Sequence, residues 1–370
     1  MNITKSSILQ PLNNNLTALH YLPSNIETIS WGTLPNAKSN PVLSIRSGQS
    51  VTIDTVSHEG MLEDQGRNPV EFFAQYGISS EEILYDAVDI CKNGPVHHLE
   101  FGPHIVTGPI EVQGAQVGDL LRIQVIQLER RVPYGIISSR HGYGALPGEM
   151  PRLKYGESIG SEFSKTVNVF CEVEELQQNA NGLIRFGKGK MVRFPLNPFL
   201  GIMGVAKDTN EVVNSISPGS HGGNLDINML GQRSFTYLPV QVPGALFYVG
   251  DPHFAQGDGE VALTALEAPL RATIEISIIK SDQANNFIGI LREPFGETDK
   301  FWIAIGLDED LNEAMRKAVR AALDFLSSYI GMEEHLAYAY LSAAADFEVS
   351  QVVDSVKGVH CLIRKKDFRA

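Results

Sequence analysis

Apolar and polar positions alternate at period two over much of this chain, the signature of half-buried strands. In "PVLSIRSGQSVTIDTV" two strands flank a Ser-Gly-Gln-Ser turn, and Val51 and Ile53 alternate with Thr52 and Asp54. The cleanest strand is "RATIEISIIK", where Ala272, Ile274, Ile276 and Ile278 face one way. "GPHIVTGPIEVQGAQVGDLLRIQVIQLERR" reads as short strands punctuated by Gly-Pro and Gly-Asp turns. There Leu121, Ile123 and Val125 alternate, but Ile126 and Leu128 continue on the opposite phase, which predicts a bulge near residue 125. "VALTAL", after Glu260, reads as another buried strand.

Two regions switch to helical period. "SSEEILYDAVDIC" carries Ser79 and Glu82 at capping-box spacing, followed by an apolar stripe of Ile83, Leu84, Ala87, Val88 and Cys91. After residue 300, Leu311, Met315, Ala318, Ala322 and Leu326 share one helical face, with Asp308 as N-cap and Gly331 as C-cap. "MEEHLAYAYLSAAADF" extends as a second helix, and "KGVHCLIRK" closes as a strand. The expected organisation is an irregular arm over 1–40, a β-rich catalytic core over 41–280, and an α+β subdomain over 281–370 packed on that core. The aperiodic Gly/Pro/Arg/His-rich stretch over 131–165 is expected to serve function or to move.

Composition narrows the partners. Of 370 residues, 43% are hydrophobic and 20% charged, an ordinary globular balance. The net charge of −13 and the lack of a basic run exclude the electrostatic footprint of a nucleic-acid binder and disfavour anionic membranes. No apolar run approaches the length of a membrane span and the N-terminus has no secretory pattern, so the cytoplasm is the expected compartment. Cys91, Cys171 and Cys361 are odd in number and far apart, which fits buried small hydrophobes better than a disulfide framework.

The chemistry concentrates in "GDPHFAQGDGE". On an extended backbone Asp251 and His253 point to the same face, an acid and an imidazole placed as half of a divalent-metal site. Gly257 and Gly259 permit the sharp turn that would return Asp258 and Glu260 to the same cavity. A carboxylate at the mouth of an apolar strand is costly unless paired or coordinated, and no Lys or Arg lies among these acids. A cation is the simplest compensation, although a hairpin with solvated acids would use the same residues. In "SPGSHGGNLDINML", His221, Asn224 and Asp226 flank Gly222 and Gly223. Asn224 and the Gly223 N–H could donate to an oxyanion, and Asp226 could ligate or orient a ligand; the same residues also make good turn chemistry. His58 with Asp54 and Glu59, His97, His98 and His104 with Glu100, and His141 beside an arginine supply further imidazoles, each of which, taken singly, is more often a surface or core-rim histidine than a ligand. There is no G-x-S-x-G elbow, no P-loop and no G-x-G-x-x-G after a strand.

Three ordered motifs, "TGPIEVQGAQVGD" from Thr107, "GGNLD" from Gly222 and "GDPHFAQGDGE" from Gly250, make the chain resemble the acetamidase/formamidase family, and "LSAAADFEVSQVVD" is similar to that family's C-terminal segment. The chain differs from many relatives at Ser57, where they carry an aspartate. The resemblance implies a mainly β fold, with a β-sandwich or half-barrel core and an α+β C-terminal part. It also implies a homodimer or higher homo-oligomer and hydrolysis of a short, neutral carboxamide to carboxylate and ammonia. Some relatives open lactams.

The expected mechanism uses a divalent metal, zinc or alternatively calcium. Asp251 and His253 are the first ligands, joined by His58 or His104. Glu260 is the acid/base, Asp258 its support or a further ligand, and Asn224 the oxyanion donor, with Gly223, His221 and His141 toward the substrate. A metal-free rival makes Glu260 the direct base beside an Asp251/His253 dyad. A rival from another class is a β-sandwich module that captures a small amide or a cation without turnover.

Overall fold

The computed structural model describes residues 8–12, 20–153, 165–176, 179–281 and 291–368. Mainly β it is: two large sheets enclose the principal core. Among the described residues the first sheet orders His20–Leu22, Gln49–Asp54, Leu270–Ile279, Leu120–Arg130, Phe235–Pro239, Phe295–Glu297, Phe301–Asp308, Lys357–Arg364 and Asp346–Gln351. The second runs Lys190–Pro195, Asn179–Phe186, Thr166–Leu176, Tyr134–Arg140, Leu266–Glu267, Phe247–Ala255, Phe199–Gly204 and Gly222–Asn224. Ile105–Gln113 branches from Phe247–Ala255 and pairs with Ile29–Trp31 and Leu43–Arg46. Val51, Ile123 and Ile274 of the first sheet pack with Ile110, Leu200 and Phe247 of the second, so inward positions of both alternations meet in one core.

The bulge sits where the phase change put it. Thr273 pairs with Gln127 and Ile274 with Val125, so Ile126 is skipped and turns outward. The strands either side of the Ser-Gly-Gln-Ser turn exist but do not form a hairpin: one joins each sheet, and that turn crosses between layers. The lead-in read as irregular contributes three short strands within 20–34.

The helix expected from Ser79 to Cys91 divides into a single 3-10 turn, Ser80–Glu82, and a helix, Tyr85–Asn93. Leu311–Phe325 and Glu334–Ala344 form as expected, ending the first at a left-handed Gly331 after a π-turn. The N-cap is Asp310 rather than Asp308; its side chain accepts the Glu313 N–H. The 131–165 stretch contains the strand Tyr134–Arg140, and its residues 154–164 lie outside the described residues. "VALTAL" is not a strand up to residue 264: the Leu263 N–H bonds the Glu260 carbonyl in a turn, and only Leu266–Glu267 is extended. Among the described residues no helix is long and apolar enough to cross a membrane. All three cysteines are free, Cys171 and Cys361 buried.

Candidate functional site

Strand Phe247–Ala255 is buried from Phe247 to Phe254, so whatever it carries must be satisfied inside the protein. Its Asp251 carboxylate is the point on which three imidazoles converge. His253 Nε2 lies 3.1 Å from Asp251 Oδ2, His104 Nε2 3.9 Å from the same oxygen, and His58 Nδ1 4.0 Å from Oδ1. Each outer imidazole is held from behind. His104 Nδ1 is 2.9 Å from Ser215 Oγ, and His58 Nε2 is 3.3 Å from Glu59 Oε1. Glu59 in turn accepts from Ser138 Oγ at 2.6 Å and from Gln65 Nε2. An imidazole steered by an outer carboxylate or hydroxyl, its other nitrogen facing inward, is the usual build of a metal-binding histidine.

Four more carboxylates close the floor. Glu267 Oε1 is 2.9 Å from His253 Nε2, and Asp226 Oδ1 is 3.8 Å from His253 Nδ1. Glu260 and Asp354 line the same cavity of about 500 Å³. Asp226, Asp251 and Glu260 all have left-handed backbones (φ +48°, +50° and +46°), conformations that cost roughly 1–3 kcal/mol each and gather at functional sites. Gly201 makes room: a Cβ built there would fall against Asp226 Oδ1 and 2.6 Å from Asp251 Oδ2. The Gly201 carbonyl also accepts the N–H groups of Leu225 and Asp226, fixing the "GGNLD" turn. Gly201→Ala is expected to fold but to lose turnover by about 10²-fold, the scale of a 1 Å misplacement, measured as kcat beside a melting curve. Wild-type kcat in the alanine variant would mean that the acids need not sit where they do.

The electrostatics show the strain. Burial first, then Glu260, Asp354 and Asp251, raise the Asp226 pKa well above the usual carboxylate range. Burial also drives Glu260 well up, with Asp354, Asp251 and Glu267 adding to it against the opposing charge of His253. Asp354 is pushed up to about 7, chiefly by burial, with the neighbouring Asp226 carboxyl opposing. Asp251 goes the other way: His253, His104 and His58 outweigh its burial and lower it. Burial takes His104 down to about 4, leaving it neutral, whereas Glu59, Glu267 and Asp251 overcome burial at His58 and raise it. Arg140, the one cationic side chain lining the described cavity apart from the histidines, is committed to Asp64 at 2.7 Å.

Both oxygens of Asp226, both ring nitrogens of His253, Glu267 Oε2 and Asp354 Oδ2 are buried and make no well-directed hydrogen bond. His58, Asp251 and Glu267 bring ligand atoms within 4.8 Å of one another, as do Asp226, His253 and Glu260. Oxygen and imidazole donors, buried, orphaned and in anionic excess, fit a divalent cation.

The expected residues are thus distributed unevenly. His58, His104, Asp251, His253, Asn224 and Glu260 come together. Asp258 does not: the glycine turn sends it outward, where it is exposed and accepts from Asn228 Nδ2 at 2.9 Å. His221 and Gly223 lie beside each other behind the cavity and do not line it; His221 is lowered to about 4 by burial, then by Lys207. His141 is turned away, its Nδ1 donating to the Pro151 carbonyl at 3.0 Å. Asn224 donates one N–H to the Ile216 carbonyl at 3.2 Å, so at most one donor remains for a ligand. His97 clasps Glu63 and the Gly102 carbonyl. Asp54 is fully used by Arg271. Sequence reading missed Glu267, Asp354 and Gly201. Glu267 could have been found as a lone carboxylate in an apolar run, and Asp354 as the last residue of "EVSQVVD".

The model of the Acetamidase/Formamidase family matches residues 207–364. A Schizosaccharomyces pombe protein assigned as a formamidase is 29% identical over 53% of this chain and 56% of its own length. The formamidase of Methylophilus methylotrophus is 25% identical over 68% of this chain and 73% of that one. The match to the yeast relative thus spans little more than half of that protein. The crystal structure of an acetamidase from Bacillus halodurans superposes with a TM-score of 0.67 at 26% identity, covering 94% of this chain and 98% of that one.

Proposed function

We propose that this chain is a member of the acetamidase/formamidase family and hydrolyses a short linear carboxamide to a carboxylate and ammonia; the family model over residues 207–364 and the formamidase relative support the reading. The observation that carries the reading is the convergence of three imidazoles on the buried Asp251 carboxylate at the floor of a solvent-reachable cavity. Asp251, His58 and His104 would hold a divalent ion, zinc by its donor set, with His253 and Glu267 completing the shell. Such an ion supplies a Lewis acid for the amide carbonyl and brings the pKa of a water toward ~7.

The chain's own residues do the rest. Glu260, its pKa raised by burial and neighbouring acids, takes a proton from the attacking water. The water oxygen bonds the carbonyl carbon, and the carbon–nitrogen bond breaks as Glu260 returns the proton to the nitrogen, releasing ammonia and leaving the carboxylic acid, which gives up its remaining proton to the ammonia or to solvent as the carboxylate forms. Asp354, near neutral in pKa and beside Asp226, keeps a second proton in the cavity. The free N–H of Asn224 is the side-chain donor available to the developing oxyanion. Leu62, Leu99, Phe101 and Leu263 supply apolar wall.

Cavity size favours one further reading. Acetamide's four heavy atoms need roughly 100 Å³ on the scale of ~30 Å³ per water, far less than the 500 Å³ available. A longer linear amide or a lactam would use that space. Ammonia release across formamide, acetamide and longer amides, with ring opening of lactams followed alongside, tests the assignment. Turnover of at least one linear amide supports it; capture without turnover of any of them makes the protein a binding module.

A further inference from the structure

Asp258, expected in the cavity, instead belongs to a second cluster on the other side of its loop. Asp258, Glu348 and His360 bring ligand atoms within 4.8 Å of one another. His360 is fully buried on strand Lys357–Arg364, and its Nδ1 is fixed 2.8 Å from Ser350 Oγ. Its Nε2 points at the two acids, 3.4 Å from Glu348 Oε2, yet makes no well-directed hydrogen bond and is shut off from solvent elsewhere. Asp258 and Glu348 are open to water on the far side, so the cluster has an entry path. Two carboxylates facing one another and a buried imidazole nitrogen need something positive between them.

We propose that Asp258, Glu348 and His360 form a second divalent-cation site, distinct from the amide-binding cavity and suited to zinc or manganese. One imidazole and two carboxylates match those ions, with water filling the exposed position. Tetrahedral ligands at ~2.1 Å from zinc sit about 3.4 Å apart, so a small inward movement closes the present spacing. Ser350 is the outer partner that fixes the imidazole.

The location gives the site a purpose. The Gly259 N–H bonds the Ser350 carbonyl at 3.1 Å, the Val352 N–H bonds the Gly259 carbonyl at 3.2 Å, and Gln256 Nε2 donates to both the Asp226 and Ser350 carbonyls. A cation here ties the loop that carries Glu260 to the strand that leads to Asp354, two groups that meet in the cavity. The alternative occupant is a shared proton.

The test compares the full chain with the Asp258→Asn/Glu348→Gln double variant, both stripped by chelator and then equilibrated with micromolar Zn²⁺ or Mn²⁺. Bound metal is measured by elemental analysis and folding by melting curve. The proposal expects the wild type to hold one equivalent more than the variant, and its melting temperature to rise further on adding metal. The cavity's own metal, present or not, is common to both proteins and cancels from the difference. Equal stoichiometry in a folded variant overturns the site in favour of a shared proton. If the variant does not fold, anomalous scattering from zinc-soaked wild-type crystals decides: a peak beside His360 Nε2 supports the site, and none overturns it.

Discussion

Replacing Glu260 by glutamine is expected to lower turnover by roughly two to four decades while leaving fold and bound metal in place. The side chain is buried among acids, and burial with the charges of Asp354, Asp251 and Glu267 holds its pKa well above the usual range. Glutamine copies the shape of the protonated carboxyl, so it relieves repulsion rather than adding it, and the variant should melt no lower than wild type. It cannot carry the proton from water to the leaving nitrogen, which an unactivated amide requires. The readout is kcat beside melting temperature and metal content. Near wild-type kcat would move the acid/base role to Asp354, a second cavity carboxyl, whose pKa is pushed up to about 7.

The second large effect is expected at Asp251→Asn. Asparagine tolerates the left-handed backbone at this position, so the turn should survive. It removes the charge on which His253, His104 and His58 converge. Even outer partners of metal ligands commonly contribute 10–100-fold in affinity or activity. Loss of this central carboxylate should therefore lower turnover by at least about 10²-fold and leave dialysed protein short of metal in the cavity. The measurement is elemental analysis of folded variant beside wild type, together with kcat. Full metal content and near-normal turnover would place the essential ligands elsewhere, with the Asp226/His253/Glu260 group next in line.

Local pattern carried the parts of this molecule that depend on local physics. Strand period placed Leu270–Ile279 and, through the phase slip at Ile126, the bulge opposite Thr273 and Ile274. The same period set Asp251 and His253 on one face, and the density of acids without Lys or Arg pointed to a missing cation. What was hidden depends on chain reversals and distant neighbours. Gly257 and Gly259 announce a turn but not its direction, so Asp258, which leaves the cavity, could not be told from Glu260, which enters it. His58, His104 and His253 come from three separate segments, and no spacing records that they meet at Asp251. Asp354 reaches the cavity from the far side of the C-terminal strands, after Gln351 has paired beside Gly259. His221 and His141 look as functional in the sequence as His104 does; only their surroundings separate them. The apolar run after Glu260 became a turn because Glu260 and Leu263 adopt positive φ, a tertiary constraint that overrides strand propensity.

We propose that amide hydrolysis depends on a divalent ion held by the buried cluster around Asp251. Ammonia release from formamide and acetamide, followed on the same protein as purified, after exhaustive chelation and after re-addition of zinc, tests it most directly. Activity is expected to disappear with the metal and to return with it. Undiminished ammonia release from protein that elemental analysis finds free of metal would contradict it, and would leave Glu260 as a direct base acting with an Asp251/His253 dyad.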